Sequence, residues 1–138
     1  MSRVINPDST GKQRTQLSKA IVLAVRELAR QKDVTDQTRD LAAFIAIALQ
    51  LIADGIDASV TAWEKRDYWI KADKFRMEWA WAGQIAEKMR TSVLTEDWAS
   101  VAILSAQIAQ KLAKVQVSEN HRLGKPWVGS FKQLTSKR

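Results

Sequence analysis

Apolar residues recur at helical spacing through most of this chain. Leu17, Ile21, Ala24, Val25 and Leu28 fall on one face and predict a first helix from Leu17 to about Lys32, capped by Thr15 or Ser18. Asp33-Val34-Thr35-Asp36 reads as a turn and an N-cap, with Thr35 or Asp36 capping and Asp40 adding acid near the helix start. The second helix then runs from about Asp36 to about Lys65. It carries Leu41, Ile45, Leu49, Ile52, Ile56, Val60 and Trp63 on one face, and Phe44, Ile47 and Leu51 on another. Only Gln50, Asp54, Asp57 and Glu64 mark a wet stripe. A helix so widely apolar is expected either at the centre of a bundle or covered again by a second subunit.

Glu64-Lys65-Arg66-Asp67-Tyr68 interrupts the pattern and predicts a turn, with Asp67 as a cap; one continuous helix from 36 to 94 is the competing reading. The third helix, about Trp69 to Val93, places Phe75, Trp79, Ala82, Ile85, Ala86, Met89 and Val93 on one face. Ile70, Met77 and Trp81 point roughly the opposite way. Thr95-Glu96-Asp97-Trp98 supplies a capping threonine with acids behind it. The fourth helix is expected to reach Val117, burying Trp98, Val101, Ala102, Ser105, Ile108, Ala109 and Leu112. Residues 1–16 are polar and read as an N-terminal arm, 17–117 as the helical body, and 118–138 as a basic tail carrying Trp127 and Phe131. No segment reads as a strand or a repeat. The expected fold is all-α, an antiparallel four-helix bundle.

Composition narrows the chemistry. A chain of 138 residues is the size of one domain, and five glycines with two prolines are too few for a turn-rich β fold. The absence of cysteine removes disulfides, thiolate metal sites and cysteine nucleophiles. The longest unbroken apolar run, Leu41 to Leu49, is nine residues. A membrane span needs ~20. With no apolar leader at the N-terminus, the expectation is a cytoplasmic protein without a membrane partner.

Charge is segregated. Residues 1–34 hold seven basic and three acidic side chains, 35–117 hold ten and eleven, and 118–138 hold five and one. The formal net charge of +7 therefore sits at the two ends, and the body is neutral. Lys19, Arg26 and Arg30 fall within about 40° of one another on the first helix. In the tail Arg122, Lys125, Lys132, Lys137 and Arg138 are interleaved with Trp127 and Phe131. Cations neutralise phosphates, and an aromatic ring can stack on an unpaired base. This makes Lys19, Arg26, Arg30, Arg122, Lys125 and Lys132 the candidate nucleic-acid contacts, with a solvated cationic face as the plainer reading. For Trp127 and Phe131, docking onto the body or a neighbouring subunit is favoured over base stacking.

Catalytic patterns do not assemble. Ser9-Thr10-Gly11-Lys12 has the tail of a phosphate-binding loop, but Asn6 stands where the pattern needs glycine and Gln13 where it needs Ser or Thr. The single histidine, His121, lacks the Glu-x-x-His partner of a bundle metal site, because Ser118 precedes it by three. No metal, no cofactor and no small-molecule substrate is expected, and the chain is not read as an enzyme.

Of six tryptophans, four lie between positions 63 and 81. Trp79 and Trp81 are about 160° apart on an ideal helix, so both cannot face one core. Together with the second apolar face of the second helix, this predicts a homo-oligomer, a dimer by symmetry statistics. Its interface would use Phe44, Ile47, Leu51, Ile70, Met77, Trp81 and Trp127. The main alternative to nucleic-acid binding is accordingly a protein–protein adaptor or structural assembly subunit. In size, basicity and helix count the chain is similar to the small accessory bundles of bacterial ribonucleoproteins, such as those of diversity-generating retroelements. That likeness is of architecture and charge and carries over no site.

Overall fold

The computed structural model describes residues 7–118, 121 and 123–136, and for residues 7–9 the backbone alone. All regular secondary structure among them is helical: α1 (Pro7–Ala29), α2 (Asp36–Lys65), α3 (Trp69–Leu94), α4 (Trp98–Lys111) and α5 (Ser130–Ser136).

α1 begins at Pro7, well ahead of the expected Leu17, so the described part of the anticipated arm is helical. Thr10 then packs close to Gly55 of α2, where a Cβ would stand 3.4 Å from Thr10 Cγ2. This contact is made by small and polar residues, which is why hydrophobic periodicity does not register it.

α2 has the predicted bounds. Thr35 is its N-cap: its Oγ1 accepts from the Thr38 backbone N–H, and Thr38 Oγ1 accepts in return from the Thr35 N–H at 3.0 Å. Thr38 also donates to the Asp33 carbonyl at 2.8 Å, tying the turn to the helix. α2 is the one described helix long and apolar enough to cross a membrane, and half of its apolar window is buried inside the fold. Three neighbours, α1, α3 and α5, pack on it. Leu41, Ile45, Leu49 and Ile52 are fully enclosed, with Met89, Val93 and Ile108 facing them from α3 and α4.

The turn between α2 and α3 is real, but Asp67 does not cap it. Asp67 adopts a left-handed φ of 62°, and Tyr68 occupies the N-cap position with no side-chain bond. α2 and α3 then run antiparallel, since Ala53 meets Gly83, Trp63 meets Phe75, and Arg39 reaches Glu96. At the next turn Asp97, rather than Thr95, caps α4. Its carboxylate accepts from the Ser100 N–H at 3.2 Å and the Ser100 hydroxyl at 2.7 Å. These hydroxyl and amide bonds hold the Asp97 carboxyl below its ordinary range.

α4 stops at Lys111, short of the expected Val117. Val115 and Val117 beyond it are β-branched and favour an extended chain. Helix α4 is therefore only 14 residues long, opposite neighbours of 23, 30 and 26. It covers α3 from about Glu87 to Ser92 and α1 from about Val22 to Ala29. Beyond its reach the same core is closed by half-buried Trp63, Phe75, Trp79 and Trp81. This accounts for three of the four tryptophans between 63 and 81; Trp69 is 54% exposed and closes nothing.

α5 falls within what was read as an irregular tail. Trp127 (3% exposed), Ser130 and Leu134 are buried, and Phe131 is half-buried against the core. Asp40 of α2 anchors the segment, its two oxygens accepting from the backbone N–H groups of Gly129 (3.1 Å) and Phe131 (2.9 Å). The carboxylate thus satisfies amides at the start of a short helix.

Candidate nucleic-acid interface

The cationic residues Lys12, Lys19 and Arg26 of α1, with Arg30 in the turn just past its end, lie on the face turned away from the buried stripe of Ile21 and Ala24. Lys12, Lys19, Arg26 and Arg30 are all exposed. Lys12 joins the three predicted positions because the helix starts earlier than expected. Positions 12, 19 and 26 recur every seven residues, which keeps them on one side of the helix with a drift of only ~20° per step. Lys12, Lys19 and Arg26 stand about 10 Å apart along the axis, so the stripe from 12 to 26 is about 21 Å long. Among the described residues, Lys12, Lys19 and Arg26 have no carboxylate partner, and Arg30 Nη1 pairs with Glu27 Oε1 at 2.8 Å.

Three cations of the neutral body, and Arg14 of α1, are engaged within the fold. Arg39 bridges Asp36 and Glu96, at 3.6 and 2.8 Å. Arg76 bridges Glu64, at 2.7 Å, and Asp73. The hydrogen bonds to Glu64 and Asp73 hold the Arg76 guanidinium above its ordinary pKa. Arg14 sits over the rings of Phe75 and Trp79, 5.0 and 5.7 Å from their centroids, and Lys71 over Trp63 at 4.6 Å. These cations serve contacts within the fold. Other body cations, such as Lys65, Arg66, Lys88 and Arg90, also have no carboxylate partner among the described residues, so it is the shared face of Lys12, Lys19 and Arg26 that marks α1 as a candidate surface.

At the C-terminal end, Lys125 and Lys132 are exposed on the segment that Asp40 docks to α2. Arg122, Lys137 and Arg138 lie outside the described residues. Trp127 docks onto its own chain, the first of the two docking outcomes expected for it, and its 3% exposed indole has no face left for a base or for the partner interface in which it was also placed. Phe131 is half-covered in the same way.

The other predicted interface positions divide. Phe44 and Ile47 are half-buried, and α5 packs on their helix; they lie on the same stripe of α2 as Asp40. The second apolar face of α2 is thus met largely from within the chain, and only Leu51 on it is exposed. On α3, Ile70 (75% exposed) and Met77 (77%) face outward as expected. Trp81 does not join them as an exposed ring. It stacks on Trp79 with centroids 5.8 Å apart and 26° between planes. A helical wheel puts the two residues on opposite sides, but long indoles swing to a common flank where α4 leaves room.

Comparison with protein-family models, with curated proteins and with solved structures finds no significant match to this chain.

Proposed function

We propose that this protein is a non-enzymatic nucleic-acid-binding module. In this reading α1 to α4 form one antiparallel bundle, α5 straps its central helix, and the cationic stripe of α1 contacts a phosphate backbone. The observation that carries it is the run of Lys12, Lys19, Arg26 and Arg30, exposed on one face, with three of the four free of acidic partners among the described residues. Phosphate contacts fix position without reading sequence. Lys125 and Lys132 add charge from the C-terminal segment, while the buried Trp127 withdraws the base-stacking element. The binding is accordingly backbone-directed and sequence-tolerant. Fluorescence anisotropy with labelled mixed-sequence duplex and single-strand oligonucleotides at ~50 mM salt tests this. Saturable binding that does not discriminate between unrelated sequences supports it, and no binding at that salt rejects it.

A second reading is favoured by one observation, the exposed Ile70 and Met77 on α3. Exposed apolar side chains in one stripe mark an assembly surface. On that reading the protein is a homo-oligomer or adaptor subunit joined through α3. Light scattering decides: a wild-type dimer that Met77→Glu converts to a monomer supports it, and a monomeric wild type removes it.

A further inference from the structure

The turn between α2 and α3 carries aromatic side chains that close no part of the core. Tyr68 and Trp69 are each 54% exposed, and Ile70 follows them outward. With Asp67 and Lys71 they line an open concavity of about 740 Å³. Trp69 differs in this from Trp63, Trp79 and Trp81, which are half-buried against the core. Single apolar residues are ordinary on a surface, but two adjacent exposed rings beside an isoleucine form a patch.

The same turn holds a local excess of positive charge. Residues 64–76 contain five basic and three acidic side chains. Arg76 takes up Glu64 and Asp73. Lys65, Arg66 and Lys74 are exposed and have no carboxylate partner among the described residues. Lys71 lies over the Trp63 ring, and Asp67 is the one acid at the concavity. Thr10 stands at Gly55 and Arg14 over Phe75, so the Lys12 end of the α1 stripe is the end nearer this turn. α2 ends about 15 Å beyond Gly55.

We propose that this turn is a stacking site for unpaired nucleobases, with Trp69 and Tyr68 as the platforms and Lys65, Arg66 and Lys74 holding the flanking phosphates. It rests on the reading of the protein as a nucleic-acid binder and adds the base contact that buried Trp127 does not supply. Every base has a π-face, so stacking is as tolerant of sequence as the phosphate contacts are. Rings set among unpaired cations match a strand that offers bases and phosphates together. Two other occupants fit less well. A bilayer would draw the Asp67 carboxylate out of water along with its neighbouring rings. Against a base, the same carboxylate can accept from an exocyclic amine. A second copy joined through the turn by a two-fold axis would set Lys65, Arg66 and Lys74 against their own equivalents.

The test is fluorescence anisotropy at ~50 mM salt with two labelled strands of equal length. One is an oligothymidylate, and the other an abasic strand with the same phosphates and no bases. The wild type is expected to bind the oligothymidylate roughly fivefold more tightly or better, the effect of one stacked base. Trp69→Ala lowers that affinity by about the same factor and leaves the abasic strand unchanged. Trp69→Phe, which keeps a ring, retains most of the preference. Equal affinity of the wild type for the two strands overturns the proposal and leaves the α1 stripe standing. A preference that Trp69→Ala and Tyr68→Ala each leave intact does the same. Absence of binding to either strand overturns both readings. Binding to phosphatidylglycerol vesicles that Trp69→Ala abolishes, without any preference for the oligothymidylate, overturns it in favour of a bilayer. A wild-type dimer that Trp69→Ala dissociates overturns it in favour of a second copy.

Discussion

The polar anchorage of α5 on α2 among the described residues is one carboxylate, and that makes Asp40→Ala an informative perturbation. A helix of seven residues does not persist alone, because isolated helices are marginal below ~12–15 residues. α5 is therefore held by burial of Trp127 and Leu134 and by the two backbone N–H bonds to Asp40, at 3.1 and 2.9 Å. A hydrogen bond to a charged group contributes about 1.5–3 kcal/mol. Since the Gly129 bond is exposed to water, the pair together is put at about 2 kcal/mol. Losing it favours the detached state of α5 by roughly 30-fold. The reporter is hydrogen exchange at the Gln133 amide, which donates to the Gly129 carbonyl at 3.1 Å and makes no contact with Asp40. Its exchange accelerates by about that factor while α2 and α3 amides keep their protection. Unchanged exchange at Gln133 refutes the assignment of Asp40 as the anchor.

Three further outcomes follow from the same geometry. Thr35→Ala removes the cap of α2 and costs about 1 kcal/mol in chemical denaturation. Met89→Ala empties a fully buried site in the core and costs about 2–5 kcal/mol by the same measurement. For Asp97 the folded-state pKa is depressed, so its contribution is present above the unfolded carboxylate value and is lost as pH falls through the folded one. Asp97→Asn keeps an acceptor for Ser100 and flattens that acid dependence, as seen in thermal unfolding across an acidic pH series.

Much of the helical body is legible in the residue pattern. The bounds of α2, the Thr35 cap and the turn at 66–68 follow from apolar spacing and from one capping threonine. The neutrality of the body has a structural counterpart in Arg39 and Arg76, each bridging two acids. What periodicity misses has identifiable causes. The first turns of α1 approach α2 through Thr10 and Gly55, so no apolar stripe announces them, and Lys12 drops out of the stripe with them. α5 did leave a signal, since Trp127, Phe131 and Leu134 stand at i, i+4 and i+7, but Gly124, Pro126 and Gly129 around it read as loop. Its anchor is out of reach of any local pattern, because Asp40 lies 89 and 91 positions from the amides it accepts. The wheel also misplaces Trp81, since it tracks Cβ direction and ignores how far an indole reaches.

The most direct test of the nucleic-acid reading is the salt dependence of binding for the wild type and for the double variant Lys19→Gln/Arg26→Gln. If Lys12, Lys19, Arg26 and Arg30 meet phosphates, log affinity falls against log salt with a slope of about −3 to −4. Removing two of them lowers the magnitude of that slope by about 1.4–1.8, with circular dichroism unchanged. A wild-type slope near zero, or one that the double variant leaves where it was, contradicts the assignment of the α1 stripe.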